Sequence, residues 1–258
     1  MPVSVELSLE GGLAIVTLNR PERKNAITMA MRIRLWEIFE HIGEDDAIRA
    51  VIFTGAGADF CSGMDVTEMG SGGVPGSMMR MRRLHRISKA IMGLKKPTIA
   101  AVQGVCMGVG WSYAMACDFM IADETVRFSQ IFRNIALCPD GGAVWLMRQQ
   151  LGAMRAKEIV YSGRTVRAEE ALRIGLVLET TPPGGALLRA RAVAAEFVDG
   201  PTLAFGMAKR QFDLASNLSF EQFLEAEFSM QPVMSRTEDH EEGIAAFKEK
   251  RKPNFRGA

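Results

Sequence analysis

The stretch TIAAVQGVCMGVGWSYAMACDFMIA, residues 98–122, opens on an apolar run from Thr98 to Val102 and passes through a glycine-rich turn. It continues into a helical segment from about Gly108 to Cys117 and closes on a second apolar run, Phe119 to Ala122. Strand, turn, helix and strand in this order describe a crossover unit, because two strands joined through a helix lie parallel in one sheet. The pattern is already present upstream, where Val51-Ile52-Phe53-Thr54 reads as a short buried strand ahead of a helix from about Met78 to Leu94. Before it, Thr28 to Ile42 places Met31, Leu35, Ile38 and Ile42 at three- and four-residue intervals, a helical stripe. The chain begins with Val3 to Leu9 and Leu13 to Leu18 flanking Glu10-Gly11-Gly12, a hairpin. The expected fold class is therefore α/β with a largely parallel sheet.

Beyond Gly141 the sequence reads almost entirely as helix, with Val177 to Glu179 as the expected exception. Ser219 and Gln222 fit a capping box, and Thr237 followed by Glu238 and Asp239 fits an N-cap with an acidic first turn. Gly70 to Ser77 is rich in glycine and serine and is expected to be a flexible loop over a site.

Hydrophobic residues make up 48% of the chain and charged residues 24%, which excludes a largely disordered protein. Thirty-one basic residues against thirty acidic leave a net charge of +1, so no global charge draws the chain to nucleic acid or anionic lipid. An anionic ligand must be met by local charges. The apolar runs fall short of the roughly 20 residues of a spanning helix, and Met1 to Glu10 lacks the character of a signal peptide. No membrane association and a cytoplasmic location are expected. Cys61, Cys106, Cys117 and Cys138 show no zinc spacing and read as reduced, mostly buried thiols.

Two glycine-rich turns each follow a strand and precede a helix: Thr54 to Asp65 and Val102 to Ser112. Turns of this kind expose backbone N–H groups, and a pair of them can cradle an oxyanion; plain tight turning is the alternative. Neither matches the dinucleotide fingerprint in its context, nor the Walker phosphate loop, which disfavours a nucleoside triphosphatase.

Asn19-Arg-Pro-Glu-Arg-Lys-Asn25-Ala26, Asp59-Phe-Cys-Ser-Gly-Met-Asp65 and Lys96-Pro97-Thr-Ile-Ala-Ala-Val-Gln-Gly104 together resemble the crotonase, or enoyl-CoA hydratase/isomerase, superfamily. Ser162-Gly163, Ala168-Glu-Glu-Ala171, Gly175-Leu-Val177 and the closing Glu242 to Phe255 fall in the family's order, so the resemblance spans nearly the whole chain. It implies a spiral of ββα units over residues 1–200, and a C-terminal helical region over 201–258 that packs in a homotrimer or dimer of trimers. It also implies an acyl-CoA substrate, no cofactor beyond the coenzyme A of that substrate, and a thioester oxygen held by the backbone N–H groups of Met64 and Val109. Gly108, Ala26, Ser62 and Asp65 belong to the same acyl-CoA-binding segments, with Arg23 and Lys24 offered to the CoA phosphates and Lys250 to CoA on a neighbouring subunit. For the lysines and Arg23, solvated charge is the plain alternative.

The positions at which family hydratases carry their two glutamates correspond here to Ser112 and Phe132. A serine is a poor base near neutral pH and a phenylalanine is none, so two-glutamate hydration is not expected. Several family isomerases have their base where Pro139-Asp140-Gly141 stands, which makes Asp140 the candidate catalytic residue; a turn aspartate capping the next helix is the alternative. Apolar surroundings, including Ile131, Phe132 and Trp145, are expected to raise its pKa. Within the family, the chain looks most similar to the epoxyphenylacetyl-CoA isomerase group, which implies a double-bond shift in an acyl-CoA. An atypical hydratase or hydrolase using Asp140, and a silent acyl-CoA-binding paralogue, are the competing readings. Glu68 is a candidate auxiliary acid and His85 a further candidate beside the expected loop, whereas Asp65 and Asp118 read as local hydrogen-bonding residues rather than bases.

Overall fold

A computed structural model describes residues 4–68 and 73–258. The chain enters through an antiparallel hairpin, β1 (Val5–Glu10) and β2 (Leu13–Leu18). Helix α1 (Met29–Glu44) leads to β3 (Ala50–Gly55), and α2 (Gly73–Gly93) leads to β4 (Thr98–Val102). Next come β5 (Val105–Met107), α3 (Val109–Met115), β6 (Phe119–Asp123) and β7 (Arg127–Ser129). After them follow α4 (Ala143–Leu151), α5 (Ala153–Ser162), β8 (Val166–Arg167), α6 (Ala168–Arg173) and β9 (Glu179–Thr181). The chain closes with α7 (Ala186–Val198), α8 (Thr202–Ala215), α9 (Phe220–Met234) and α10 (Glu238–Glu249).

The strands form two sheets. The larger runs in the order β1-β2-β3-β4-β6-β9 and is parallel from β2 onward. The smaller, β5-β7-β8, stands beside it. Strands buried on both faces read as continuous apolar runs, and the alternation within them divides the interior in two. Val16, Phe53, Ala100 and Ala122 point into the main core with α1, α2 and α3. Ile15, Ile52, Ile99 and Ile121 pack against Ala186, Ala190 and Ala194, a stripe of small residues that lets α7 lie close on the other face.

Helix α1 starts where Thr28 accepts a hydrogen bond from the Met31 N–H, and it buries Met31, Leu35, Ile38, Phe39 and Ile42. Arg32 lies fully inside the same face. The capping box at Ser219 and Gln222 and the N-cap at Thr237 form as their sequences imply. Asp239 goes further than dipole compensation: it is buried and accepts from the N–H groups of Arg256 and Gly257, tying down the C-terminal residues.

Two expectations are corrected. Helix α2 begins at Gly73, with Pro75 in its first turn where a missing N–H costs nothing, so residues 73–77 are helical rather than loop. The remainder of the expected loop, residues 70–72, lies outside the described residues. The late strand is β9 at Glu179–Thr181, two residues beyond its expected start, and the short strands of the second sheet had no sequence expectation at all. Cys138 is exposed, while the other three thiols are buried. No described helix is long and apolar enough to cross a membrane.

Asn25 closes the loop after β2. It is fully buried at φ 54°, donates to the carbonyls of Ala56 and Asp59 at 3.0 and 2.7 Å, and accepts from the Arg20 N–H at 2.8 Å. Replacing it with alanine strands these backbone groups, so Asn25→Ala is expected to lower unfolding free energy by about 2–4 kcal/mol in urea titration.

Candidate active site

The segment Cys61–Asp65 is held on both sides. The Cys61 N–H donates to the Val105 carbonyl and the Met107 N–H to the Cys61 carbonyl, each at 2.9 Å, which fastens it to β5. On its other flank the Ser62 N–H donates to Lys24, the Ile27 N–H to Gly63 and the Asp65 N–H to Ile27, at 2.9, 2.8 and 3.0 Å. This parallel bridge pairs the neighbours of Met64 and leaves its own N–H to point elsewhere. Val109 is the first residue of α3, where a helix has no internal acceptor for the N–H.

Glycine lets the segments that carry these two N–H groups approach each other. Gly63 and Gly108 have φ of +106° and +52°, and a Cβ built on Gly63 would lie 3.9 Å from the Gly108 Cα. A Cβ on Gly110 would come within 2.6 Å of the Cys61 Cβ, so only glycine permits this approach. Ser62 and Met64 flank Gly63, and Gly108 and Val109 stand across the same close approach.

Asp140 arrives from the third direction. It follows a short 3-10 turn, Ile131–Ile135, and precedes Gly141 and Gly142, both at positive φ. Its backbone is fixed by two serines: Ser112 Oγ donates to the Asp140 carbonyl at 2.9 Å and Ser88 Oγ to the Gly141 carbonyl at 2.8 Å. A Cβ on Gly141 would sit 2.9 Å from the Ser112 Cβ and 3.0 Å from the Val109 Cγ2, so the aspartate is seated against the first turn of α3. Ser112 is fully buried, and its hydroxyl serves backbone carbonyls.

The Asp140 side chain does not cap α4, whose N-cap is Gly142 with no side-chain hydrogen bond. Its Oδ1 is buried without a hydrogen-bond partner among the described residues. Burial raises the carboxyl to about 6, opposed by the positive charge of Arg32. Phe132 is buried beside Gly108, whereas Trp145 is 40% exposed.

The other candidates have visible occupations. Asp65 accepts from Arg20 and Thr67, and these hydrogen bonds hold its carboxyl down at about 2. Glu68 forms an ion pair with Arg32 at 2.7 Å and accepts the Met29 N–H, so its carboxylate is already engaged. Asp118 binds Thr98 and Lys209, and His85 is exposed on α2. Arg23 and Lys24 are exposed and Ala26 half-buried in the loop that braces Ser62. Lys250 is exposed at the end of α10, where it takes φ 55°. Burial pushes Cys61 up to about 12 and Cys106 well above its usual range, which excludes both as thiolates at neutral pH.

A family model described as enoyl-CoA hydratase/isomerase matches residues 8–258. The chain belongs to the enoyl-CoA hydratase/isomerase family. It is 34% identical to a Rhodobacter capsulatus protein named "Probable enoyl-CoA hydratase", over 98% of both chains. It is 32% identical to the 1,2-epoxyphenylacetyl-CoA isomerase of Escherichia coli, over 96% of this chain and 97% of that one. Among solved structures, an enoyl-CoA hydratase from Bacillus anthracis superposes with a TM-score of 0.95 at 28% identity, covering 99% of this chain and 100% of the other. The crotonase fold and an acyl-CoA enzyme activity follow from this membership.

In this family member, sequence reasoning missed Arg32, Ser88 and Gly141. Arg32 was legible as a charged residue inside an apolar helical stripe; the two others have partners distant in sequence and left no signal.

Asp140 has its carboxyl raised in the folded state relative to an ordinary carboxylate value of 3.8. Below about pH 4 it is protonated in both states and costs nothing; as pH rises toward about 6 the unfolded chain ionises first, and stability is lost. Asp140→Asn is therefore expected to raise the Tm at pH 7 to 8, with the gain vanishing near pH 4. Melting curves across this range check it, and a mutant less stable than wild type at pH 8 contradicts the burial argument.

Proposed function

We propose that this protein is an acyl-CoA isomerase that shifts a carbon–carbon double bond, converting a 3-enoyl thioester or a ring-type equivalent into the conjugated 2-enoyl thioester. The observation that carries this reading is the partly buried carboxylate of Asp140, whose Oδ1 is buried and has no partner among the described residues, packed against the first turn of α3 next to the Met64 segment. The thioester oxygen lies between the Met64 and Val109 N–H groups. Asp140 takes the proton from the carbon next to the thioester; the C–H electron pair becomes an enolate whose negative charge falls on the held oxygen. As the enolate collapses, the thioester carbonyl re-forms, the enolate's carbon–carbon pair becomes the new 2,3 double bond, and the original double bond's electrons take that proton back at its far carbon, C4. Nothing is added or lost.

Preformed donors aimed at this charge are each worth about 10²–10³ in rate, because they need no reorganisation. A base near 6 is ionised at neutral pH yet close enough to it to give the proton back. Addition of water is disfavoured because Ser112 and Phe132 occupy the glutamate positions of the resemblance and Glu68 is held by Arg32. The exposed Arg23 and Lys24 are the charges offered to the CoA phosphates, with Lys250 offered by a neighbouring subunit.

Purified protein given a medium-length 3-enoyl-CoA is expected to yield the 2-enoyl-CoA at unchanged mass. Asp140→Asn is expected to lose about 10²–10⁴-fold in rate. For wild type, kcat/KM is expected to rise with pH through about 6 and then level, since the base works ionised. A product heavier by one water assigns a hydratase instead.

We further propose that the chain works as a trimer or dimer of trimers assembled through residues 201–258. The support is a set of exposed phenylalanines on α8, α9 and α10: Phe212, Phe220, Phe228 and Phe247, each at least 70% exposed. Light scattering is expected to give three or six times the chain mass, and Phe228→Glu with Phe247→Glu to give a lower mass; a monomeric wild type refutes the assembly.

A further inference from the structure

Arg32 projects from the buried face of α1, between Met31 and Leu35, and its side chain has no exposed surface. Two of its three nitrogens are occupied. Nε donates to the Thr28 carbonyl at 3.3 Å and Nη2 to Glu68 Oε2 at 2.7 Å. Glu68 Oε2 also accepts the Met29 N–H at 2.7 Å, so the carboxylate is anchored to the helix that bears the arginine and the guanidinium cannot swing away. The third nitrogen, Nη1, is buried with no acceptor among the described residues.

A charged donor without an acceptor in a dry interior is costly, and a fold that retains one is open to a ligand that satisfies it. The guanidinium is held next to the Met64 segment, because Thr28 adjoins Ile27, which bridges Met64, and Glu68 follows Met64 by one short turn; its positive charge also reaches Asp140. Asp140 Oδ1 is the complementary case, a buried acceptor without a donor. A substrate positioned between the oxyanion donors and Asp140 therefore passes a second polar feature. Glu68 already balances the arginine's charge and Asp140 adds another anion, so a further carboxylate would meet repulsion from both. A neutral acceptor meets none.

We propose that Arg32 Nη1 is a substrate-binding donor, and that the acyl group taken by this site carries a neutral oxygen, such as a hydroxyl, ether or ketone, beyond its thioester. The inference rests on reading Asp140, Met64 and Val109 as the acyl-CoA site, and it specifies the substrate class of that site. Glu68 is a positioning residue for the arginine.

The test is calorimetric binding of saturated thioesters to the full-length protein: hexanoyl-CoA against a series carrying one hydroxyl at each successive carbon beyond the α carbon. One member is expected to bind about tenfold tighter than hexanoyl-CoA, the order of a hydrogen bond to a charged group. In Arg32→Met this gain is expected to fall below about threefold. Arg32→Lys, which keeps the charge and removes the second arm of the fork, is expected to lose the gain too and stands in if the methionine variant does not fold. The proposal is overturned if no hydroxylated thioester binds more tightly than hexanoyl-CoA, or if the gain survives in the variants. Because these thioesters hold no double bond to shift, the result is independent of the bond-shift assay: an absent isomerase product with a hydroxyl gain sinks the reaction assignment alone, whereas failure of every thioester to bind sinks the acyl-CoA site itself.

Discussion

Backbone hydrogen bonds on both flanks of Cys61–Asp65 set the geometry on which everything else in the site depends. One flank is joined to β5 and the other to the loop after β2, so a five-residue segment is held like a strand between two parts of the chain that are distant in sequence. The N–H of Met64 is directed by what its neighbours bind rather than by any side chain. The glycines at 63, 108 and 110 follow from the same constraint, since a Cβ at Gly110 would collide with Cys61 and one at Gly63 would crowd the Met107 carbonyl, while Gly63 and Gly108 also take positive φ. Preorganisation of this kind lets an N–H stabilise developing charge without moving first.

Around these N–H groups a few buried polar side chains interrupt an otherwise apolar core. Serines 88 and 112 spend their hydroxyls on the carbonyls of Gly141 and Asp140, which fixes the backbone of the aspartate while leaving its carboxylate free. Burial then acts on that carboxylate alone and lifts it to about 6, and the nearby arginine keeps it from rising further. Buried polar groups without partners are a stability cost, and a fold accepts such a cost most readily where a ligand meets it. Asp140 and Arg32 are both of this kind, whereas Asp65 and Asp118, with their full sets of partners, serve the scaffold.

The C-terminal helices are tied to the body by polar contacts as well as packing. Arg49, which precedes β3, donates to the Gly200 and Phe255 carbonyls and to Thr202, and Asp239 holds the backbone of Arg256 and Gly257. This leaves the phenylalanines of α8, α9 and α10 facing outward on a firmly attached element.

Periodicity and composition determined the elements: the strands that are buried on both faces, the stripe of α1, the crossover helices and the two capped helices near the end were all legible because their signals are local. Motifs determined the family, and with it the fold and an acyl-CoA substrate. The extent of α2 was misread because glycine and proline at 73–76 look like loop residues, yet a first helical turn tolerates both. The second sheet left no trace because strands of two or three residues carry no period. Only the tertiary structure decided that Glu68 belongs to Arg32, that Ser112 and Ser88 brace the backbone around Asp140, and that the carboxylate keeps an unpaired oxygen. Pairing and desolvation depend on which atoms meet across long stretches of chain, and no local pattern of residues records that.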